Sequence, residues 1–120
     1  MMKHMLELSE RALDEVFRAL SNPSRRAMLA RLSDGPTSLS DLAAPLDMTL
    51  SAVEQHFKVL ERCDLVHSNK VGRIRTCRLE ADTVQATEQW LGVLRADWER
   101  QLDRLGDFLD STSTDQNGNQ

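Results

Sequence analysis

Hydrophobic positions along the chain form five helical stripes interrupted by one alternating stretch. Leu13, Val16, Phe17 and Leu20 recur at i, i+3, i+4 and i+7, one face of a helix, and predict a helix over 9–20. Asn22-Pro23 ends it and starts a second, because an Asn side chain caps a helix and proline fits a first turn that lacks N–H partners anyway. The second helix runs to about residue 32 and buries Met28, Leu29 and Leu32; Ser33-Asp34-Gly35-Pro36 stops it. A third helix is short. Ser38 with Asp41 three residues on resembles a capping box, Leu39, Leu42 and Ala43 face inward, and Pro45 limits its length. Leu46-Asp47-Met48 makes a tight turn, and Thr49 or Ser51 caps a fourth helix reaching about residue 62. Its buried stripe is Val53, Phe57 and Leu60, which leaves Ser51, Glu54, Gln55 and Lys58 outside.

The period then changes. Leu65-Val66-His67-Ser68 and the arginine-bearing run 73–79 flank Asn69-Lys70-Val71-Gly72, whose Asn and Gly supply turn chemistry, so 65–79 reads as a β-hairpin with a basic tip. A long last helix spans 82–110, with Leu91, Trp98 and Leu105 spaced by seven and Leu94, Leu102, Phe108 and Leu109 widening the stripe. Residues 111–120 carry no apolar side chain and read as a disordered polar tail beyond a single domain over 1–110. The fold class is therefore mainly α with a small β-hairpin. Two helices joined by a four-residue turn and followed by a two-stranded ribbon make a winged helix-turn-helix of five helices. In that arrangement the fourth helix offers a polar face to the major groove of double-stranded DNA, and the hairpin reaches a phosphate strand or the minor groove.

Composition changes the picture little and charge changes it more. A chain of 120 residues with 40% hydrophobic and 28% charged side chains is one small globular domain. Apolar runs such as 27–30 are far short of the roughly 20 residues of a membrane span. Met1, Met2, Lys3, His4 and Met5 lack the apolar stretch of a signal peptide. Cys63 and Cys77 make no disulfide framework, so a cytoplasmic, reducing setting is expected. The net charge of −4 argues against nucleic acid until it is divided along the chain. Residues 1–20 carry 3 basic and 4 acidic side chains, 21–80 carry 9 and 7, and 81–120 carry 3 and 8; residues 50–79 alone carry 6 against 3. A local basic patch outweighs the total when the partner is a polyanion.

Three stretches also carry a family resemblance: Phe17-Arg18-Ala19-Leu20-Ser21-Asn22-Pro23-Ser24-Arg25-Arg26, Leu39-Ser40-Asp41-Leu42-Ala43, and Val53-Glu54-Gln55-His56-Phe57-Lys58-Val59-Leu60-Glu61. With Leu65-Val66, Lys70-Val71-Gly72-Arg73 and Cys77-Arg78-Leu79 in the wing, the chain resembles the ArsR-type (arsenical-resistance repressor) winged-helix regulators over about residues 10–110. The resemblance implies a homodimeric DNA-binding regulator, usually a repressor of its own operon, that dimerises through its first and last helices. The sequence departs from the family at several places. Arsenic- or cadmium-sensing members place two thiolates near the start of the third helix, where this chain has Ser38 and Ser40. Zinc-sensing members use His and carboxylates on the last helix, where 82–110 holds no histidine. No metal or other cofactor is therefore expected, and the inducer is left unknown. The family usually carries a small hydroxyl at Glu54 and a glycine at Asp47, which must take or avoid a left-handed conformation.

The DNA-binding candidates are Thr49, Ser51, Glu54, Gln55, His56 and Lys58, with Lys70, Arg73 and Arg75 in the wing. Gln55 can pair bidentately with adenine, Ser51 can meet a base or a phosphate, and Lys58 reads as a phosphate contact. Glu54 has three readings: acceptor for a cytosine amino group, partner of Ser51 in a capping box, or repeller of phosphate. His56 sits beside the buried stripe, where packing is favoured over a phosphate bond, and one of Arg25 and Arg26 is assigned an internal ion pair. The dimer candidates are Leu13 and Phe17 with Leu91, Leu94, Trp98, Leu105 and Phe108. Cys63 and Cys77 could approach each other as a thiol switch or a soft-metal site, but read first as packing residues, since no C-x-C, C-x-x-C or H-x-x-x-H spacing accompanies them. No nucleophile–base pair, phosphate loop or carboxylate dyad stands at a telling spacing, so an enzyme is not expected. The competing function is a winged-helix module that binds protein, not DNA, through the apolar face of the long helix.

Overall fold

The computed structural model describes residues 8–118 and divides after Thr87 into two compact units. The first holds helices α1 (Glu10–Leu20), α2 (Pro23–Leu32), α3 (Leu39–Ala43) and α4 (Leu50–Arg62), together with strands β1 (Thr37–Ser38), β2 (Val66–Val71) and β3 (Ile74–Leu79). Helix α5 (Ala81–Gly118) begins in the first unit and makes up the second. Residues 1–7 of the expected 1–110 domain, and 119–120 of the expected tail, lie outside the described residues.

Four helices start at side-chain caps. Ser9 Oγ accepts from the Ala12 N–H at 3.1 Å, Asn22 Oδ1 from Arg25 at 3.0 Å, Ser38 Oγ from Asp41 at 3.1 Å, and Thr49 Oγ1 from Ala52 at 3.1 Å. Each satisfies an N–H that the first helical turn leaves orphaned, worth about 1 kcal/mol. Thr49 thus takes the α4 cap and leaves Ser51 inside the first turn. At the other end of α1 the two arginines are not ion-paired as expected. Arg25 Nε donates to the Ala19 carbonyl at 2.6 Å, Arg25 Nη2 to Arg18 at 3.2 Å, and Arg26 Nη1 to Leu20 at 2.7 Å. The last carbonyls of a helix have no partners within it, so they outcompete a solvated carboxylate for the guanidinium.

The core gathers one face from each element. Phe57, Val53 and Leu60 of α4 are fully buried among Val16 and Ala19 of α1, Met28 and Leu32 of α2, and Leu39 and Leu42 of α3. Val66 and Cys77 close it from the sheet. Leu29 and Ala43, read as inward-facing, are half-buried at its edge. Val84 of α5 packs against the same core.

The ribbon differs from the expectation in two ways. It has a third strand: β1 pairs antiparallel with β3, Thr37 opposite Cys77 and Ser38 opposite Thr76, in sheet order β1-β3-β2. A two-residue strand is too short for alternation to reveal. The turn also moves toward the C-terminus. Asn69, Lys70 and Val71 belong to β2, Val71 faces Ile74, and Gly72-Arg73 forms the two-residue loop. Gly72 takes a φ of 64° and Arg73 does not take a positive φ, the pattern of a type II′ turn, whose twist matches that of the strands.

Asp47 avoids the left-handed region, and Asp64 occupies it instead at a φ of 62°. Asp64 follows the Cys63 cap of α4. Its N–H donates to the Glu61 carbonyl at 3.0 Å, and the Leu65 N–H reaches back to Leu60 at 3.0 Å. These two bonds form a Schellman motif, with the buried pair Leu60 and Leu65 as its apolar contact. The last correction concerns the tail: α5 continues to Gly118, where 111–120 reads as disordered from composition. Once a helix is nucleated each further residue gains a backbone bond, and Thr112 Oγ1 adds one to the Phe108 carbonyl at 3.0 Å.

The Asp64 geometry yields a test. A left-handed conformation costs an L-residue about 1–2 kcal/mol, part of which glycine returns through its freer unfolded chain. Asp64→Gly is expected to raise stability by about 0.5–1 kcal/mol, read as a higher urea midpoint at unchanged slope.

Candidate nucleic-acid interface

Helices α3 and α4 form the helix-turn-helix, with 44–49 between them. Burying Val53, Phe57 and Leu60 turns the opposite side of α4 outward. Ser51, Gln55, Lys58 and Arg62 follow one another at i, i+4, i+7 and i+11, and all are exposed. Thr49 is also exposed, but its oxygen is engaged in capping. Glu54 is half-buried, and the capping box with Ser51 is overturned because Thr49 holds that place. It stands instead on the wall of a groove.

That groove, open and of about 550 Å³, runs between the start of the helix-turn-helix and the wing. Ser38, Ser40, Asp41, Leu50 and Glu54 line the helical side, and Lys70, Arg73, Ile74 and Arg75 the other. Strand register puts Lys70 directly opposite Arg75, with Arg73 in the turn beyond them. Directly opposed like charges destabilise a hairpin. Among the described residues the ion pairs are Arg78–Glu80 at 2.8 Å and Arg100–Asp97 at 2.6 Å, so none relieves the three wing cations. The sequence reading missed Ser40, Asp41, Leu50 and Ile74 as groove residues, and Val71 at the wing tip. Only the two aliphatics flanking Gly72-Arg73 left a signal, being apolar where hairpin tips are usually polar.

His56 is half-buried and turned toward α2: Arg25 Nη1 lies 3.2 Å from its Nδ1. A guanidinium has only donors, so Nδ1 is the acceptor and the ring proton sits on Nε2. The cysteines are poor nucleophiles. Burial, the largest influence on each, raises both thiols from their ordinary pKa, Cys77 to about 11, so both remain protonated at neutral pH. Among the described residues no group of three or more His, Cys, Asp or Glu side chains is placed to hold a metal, and no helix is long and apolar enough to cross a membrane.

The remaining candidates divide by unit. On α1, Leu13 is half-buried and Phe17 lies at the surface. In the second unit Leu91, Trp98, Leu105 and Phe108 are exposed, by 45% to 66%, and Leu94 is half-buried. Trp90, Leu102 and Leu109 are exposed too.

Comparison with known proteins gives this geometry a family. A helix-turn-helix domain model matches residues 20–69. The HTH-type transcriptional regulator Rv2034 of Mycobacterium tuberculosis is 33% identical over 109 residues, spanning 88% of this chain and 95% of the relative. The crystal structure of an ArsR family transcriptional regulator superposes with a TM-score of 0.70 at 39% identity, over 78% of this chain and 97% of its own. The chain belongs to the ArsR family. It is a DNA-binding transcriptional regulator and not an enzyme. A homodimeric winged helix-turn-helix DNA-binding domain from Mycobacterium bovis, solved in solution, shares the fold at a TM-score of 0.59 and 21% identity, over 80% of this chain and 95% of its own.

The wing cations supply a test that needs no DNA. Lys70→Glu converts the like-charge pair with Arg75 into an attractive one. It is expected to raise stability by about 0.5–1 kcal/mol in low salt. The gain should shrink as added salt screens both charges, measured by thermal unfolding across a salt series.

Proposed function

We propose that this ArsR family regulator is a homodimeric repressor that binds an inverted-repeat operator, with residues 1–110 serving DNA binding and dimerisation. The observation that carries the reading is the wing. Lys70 and Arg75 oppose each other without an acidic partner among the described residues, and Arg73 extends the same charge into the turn. Such a cluster costs the free protein stability, and a phosphate strand repays it. On α4, Ser51 and Gln55 reach base edges, Lys58 sits on phosphate, and Thr49 and His56 hold the helix for them. Glu54, on the groove wall, repels phosphate and so lowers affinity for arbitrary sequence.

The exposed stripe of α5 supports the dimer. Leu91, Trp98, Leu105 and Phe108 leave large apolar surfaces in water within one chain, and a second copy is the proposed cover; a Mycobacterium bovis domain of the same fold is homodimeric. Leu13 and Phe17 are the proposed contribution of α1. No metal is assigned, since Ser38 and Ser40 stand where thiol-bearing members have their ligands. A repressor works where its DNA is, which assigns the protein to the cytoplasm.

Two expected outcomes test this function. On a set of operator variants, Gln55→Ala should relax preference at one position of each half-site, at about 1–3 kcal/mol per contacted base. Arg73→Ala should weaken binding to all sequences alike and lower the salt slope by about 1 per lost phosphate contact. The reverse pattern would show that reader and clamp have been exchanged. Trp98→Ala should weaken the dimer by about 1.5–3 kcal/mol per protomer. Sedimentation reads that loss, and a wild type that stays monomeric at micromolar concentration refutes the dimer.

A further inference from the structure

Directional ties hold α4 at His56 and again at Glu61. Arg25 of α2 meets His56, and Ser68 of β2 donates its hydroxyl to the Glu61 carboxylate at 3.2 Å. The tie to α2 fixes α4 among the helices. The tie to β2 joins α4 to the wing. Ser68 and Glu61 are both half-buried, and their bond sits at the base of the ribbon. Ser68 pairs with Cys77, and two positions further out Lys70 pairs with Arg75, so the wing cations stand about 7 Å beyond the tie. The same carboxylate bears on the neighbouring thiol. Burial is the largest influence on Cys77, and the Glu61 charge adds to it in holding the thiol up, against Arg75.

Apolar packing by itself leaves the angle of a helix loose. Val53, Phe57 and Leu60 hold α4 by burial, which has no preferred direction. Rotating α4 by about 20° moves a side-chain tip, about 5–6 Å from the axis, by about 2 Å. A base-edge hydrogen bond does not survive that displacement. Stability gives no reason for a polar pair at this place, because replacing both partners of such a bond by apolar groups is often nearly neutral. A directional bond between the helix and the ribbon does supply what burial lacks, a fixed angle between them.

We infer that Glu61 is a positioning residue for DNA reading: through Ser68 it sets the angle between α4 and the wing, so that Gln55 meets base edges while Lys70 and Arg73 meet phosphate. This rests on the reader and clamp roles proposed above. Phosphate contacts carry no sequence information. Loss of the tie should therefore lower discrimination between sequences and spare the affinity common to all of them.

The test uses the full chain, an operator selected from randomised duplexes and a scrambled duplex of the same length, at one salt concentration. Ser68→Ala should lower the ratio of operator to scrambled affinity about tenfold and leave scrambled affinity within about twofold. Two conservative variants should hold the ratio within about threefold, because Ser68→Thr keeps the hydroxyl and Glu61→Gln keeps an acceptor without the charge. Any gain that Glu61→Gln makes by losing a negative charge falls on both duplexes alike and cancels in the ratio. Combining Glu61→Ala with Ser68→Ala should cost no more than Ser68→Ala alone, as expected of one shared bond. Circular dichroism and the urea midpoint establish that each variant folds. A ratio unchanged by Ser68→Ala, an equal loss on both duplexes, additive losses in the double variant, or a ratio that both conservative variants also lose overturns the inference while leaving the reading face intact. A wild type that binds the two duplexes equally overturns the reading face itself.

Discussion

One guanidinium holds three helices together. Arg25 lies on α2, donates to the carbonyls of Arg18 and Ala19 at the end of α1, and reaches His56 of α4. Its planar fork meets three acceptors at fixed angles, which the single ammonium of a lysine cannot do. The bond to His56 ties α2 to α4. Gln55 and Lys58 flank it along α4, so the register that Arg25 imposes is the register of the reading face. The Asn22-Pro23 start of α2 belongs to the same device: the cap bond runs from the Arg25 N–H to Asn22, placing the arginine in the first turn, within reach of the helix before it. A sequence that reads as a helix break is also the joint that aims the fourth helix.

What could be read in advance was what is local. Caps at Asn22 and Ser38 bind three residues downstream, and the buried stripe of α4 repeats within its own length, so pattern alone exposes them. The failures were contests between partners distant in sequence or nearly equal in merit. Arg25 and Arg26 could pair with a carboxylate or with orphaned carbonyls, and only the fold brings the carbonyls close. Thr49 and Ser51 are both good caps, and the choice of Thr49 left Glu54 to the groove wall. The pairing of Thr37 and Ser38 with β3 is invisible at two residues. Composition marked 111–120 as non-helical because it weighs burial, whereas a helix already formed upstream extends without it. The exposed face of α4 was legible as residue types at a spacing, but not the groove, which exists only when wing and helix-turn-helix are set side by side.

Charge and shape answer different questions here. The chain is acidic overall, yet three wing cations project around one groove that also presents Asp41 and Glu54. On the proposed function a polyanion would be drawn to the wing and held off the carboxylates, which would orient the approach before any base is read. Ser38 shows how a position can be reassigned. Its hydroxyl caps α3 and its backbone pairs with Thr76, so the place where other members of the family put a thiolate is engaged by the fold itself.

A single copy of the reading surface is small. In the proposed complex Ser51, Gln55 and Lys58 on α4, together with the wing, would supply a few directional contacts. Each good bidentate base contact is worth about 1–3 kcal/mol of discrimination, while specific binding must exceed non-specific binding by about 4–10 kcal/mol. Two copies joined on the proposed dimer close that gap, because the second half-site is then met at high effective concentration. The geometry demanded is a pair of reading helices one turn of DNA apart, about 34–36 Å. The apolar stripe of α5 beyond Thr87 is the surface proposed to meet that requirement. In a single copy the stripe leaves Leu91, Trp98, Leu105 and Phe108 exposed. On the proposed dimer its value would lie in the doubling of a reading face too small to be specific alone.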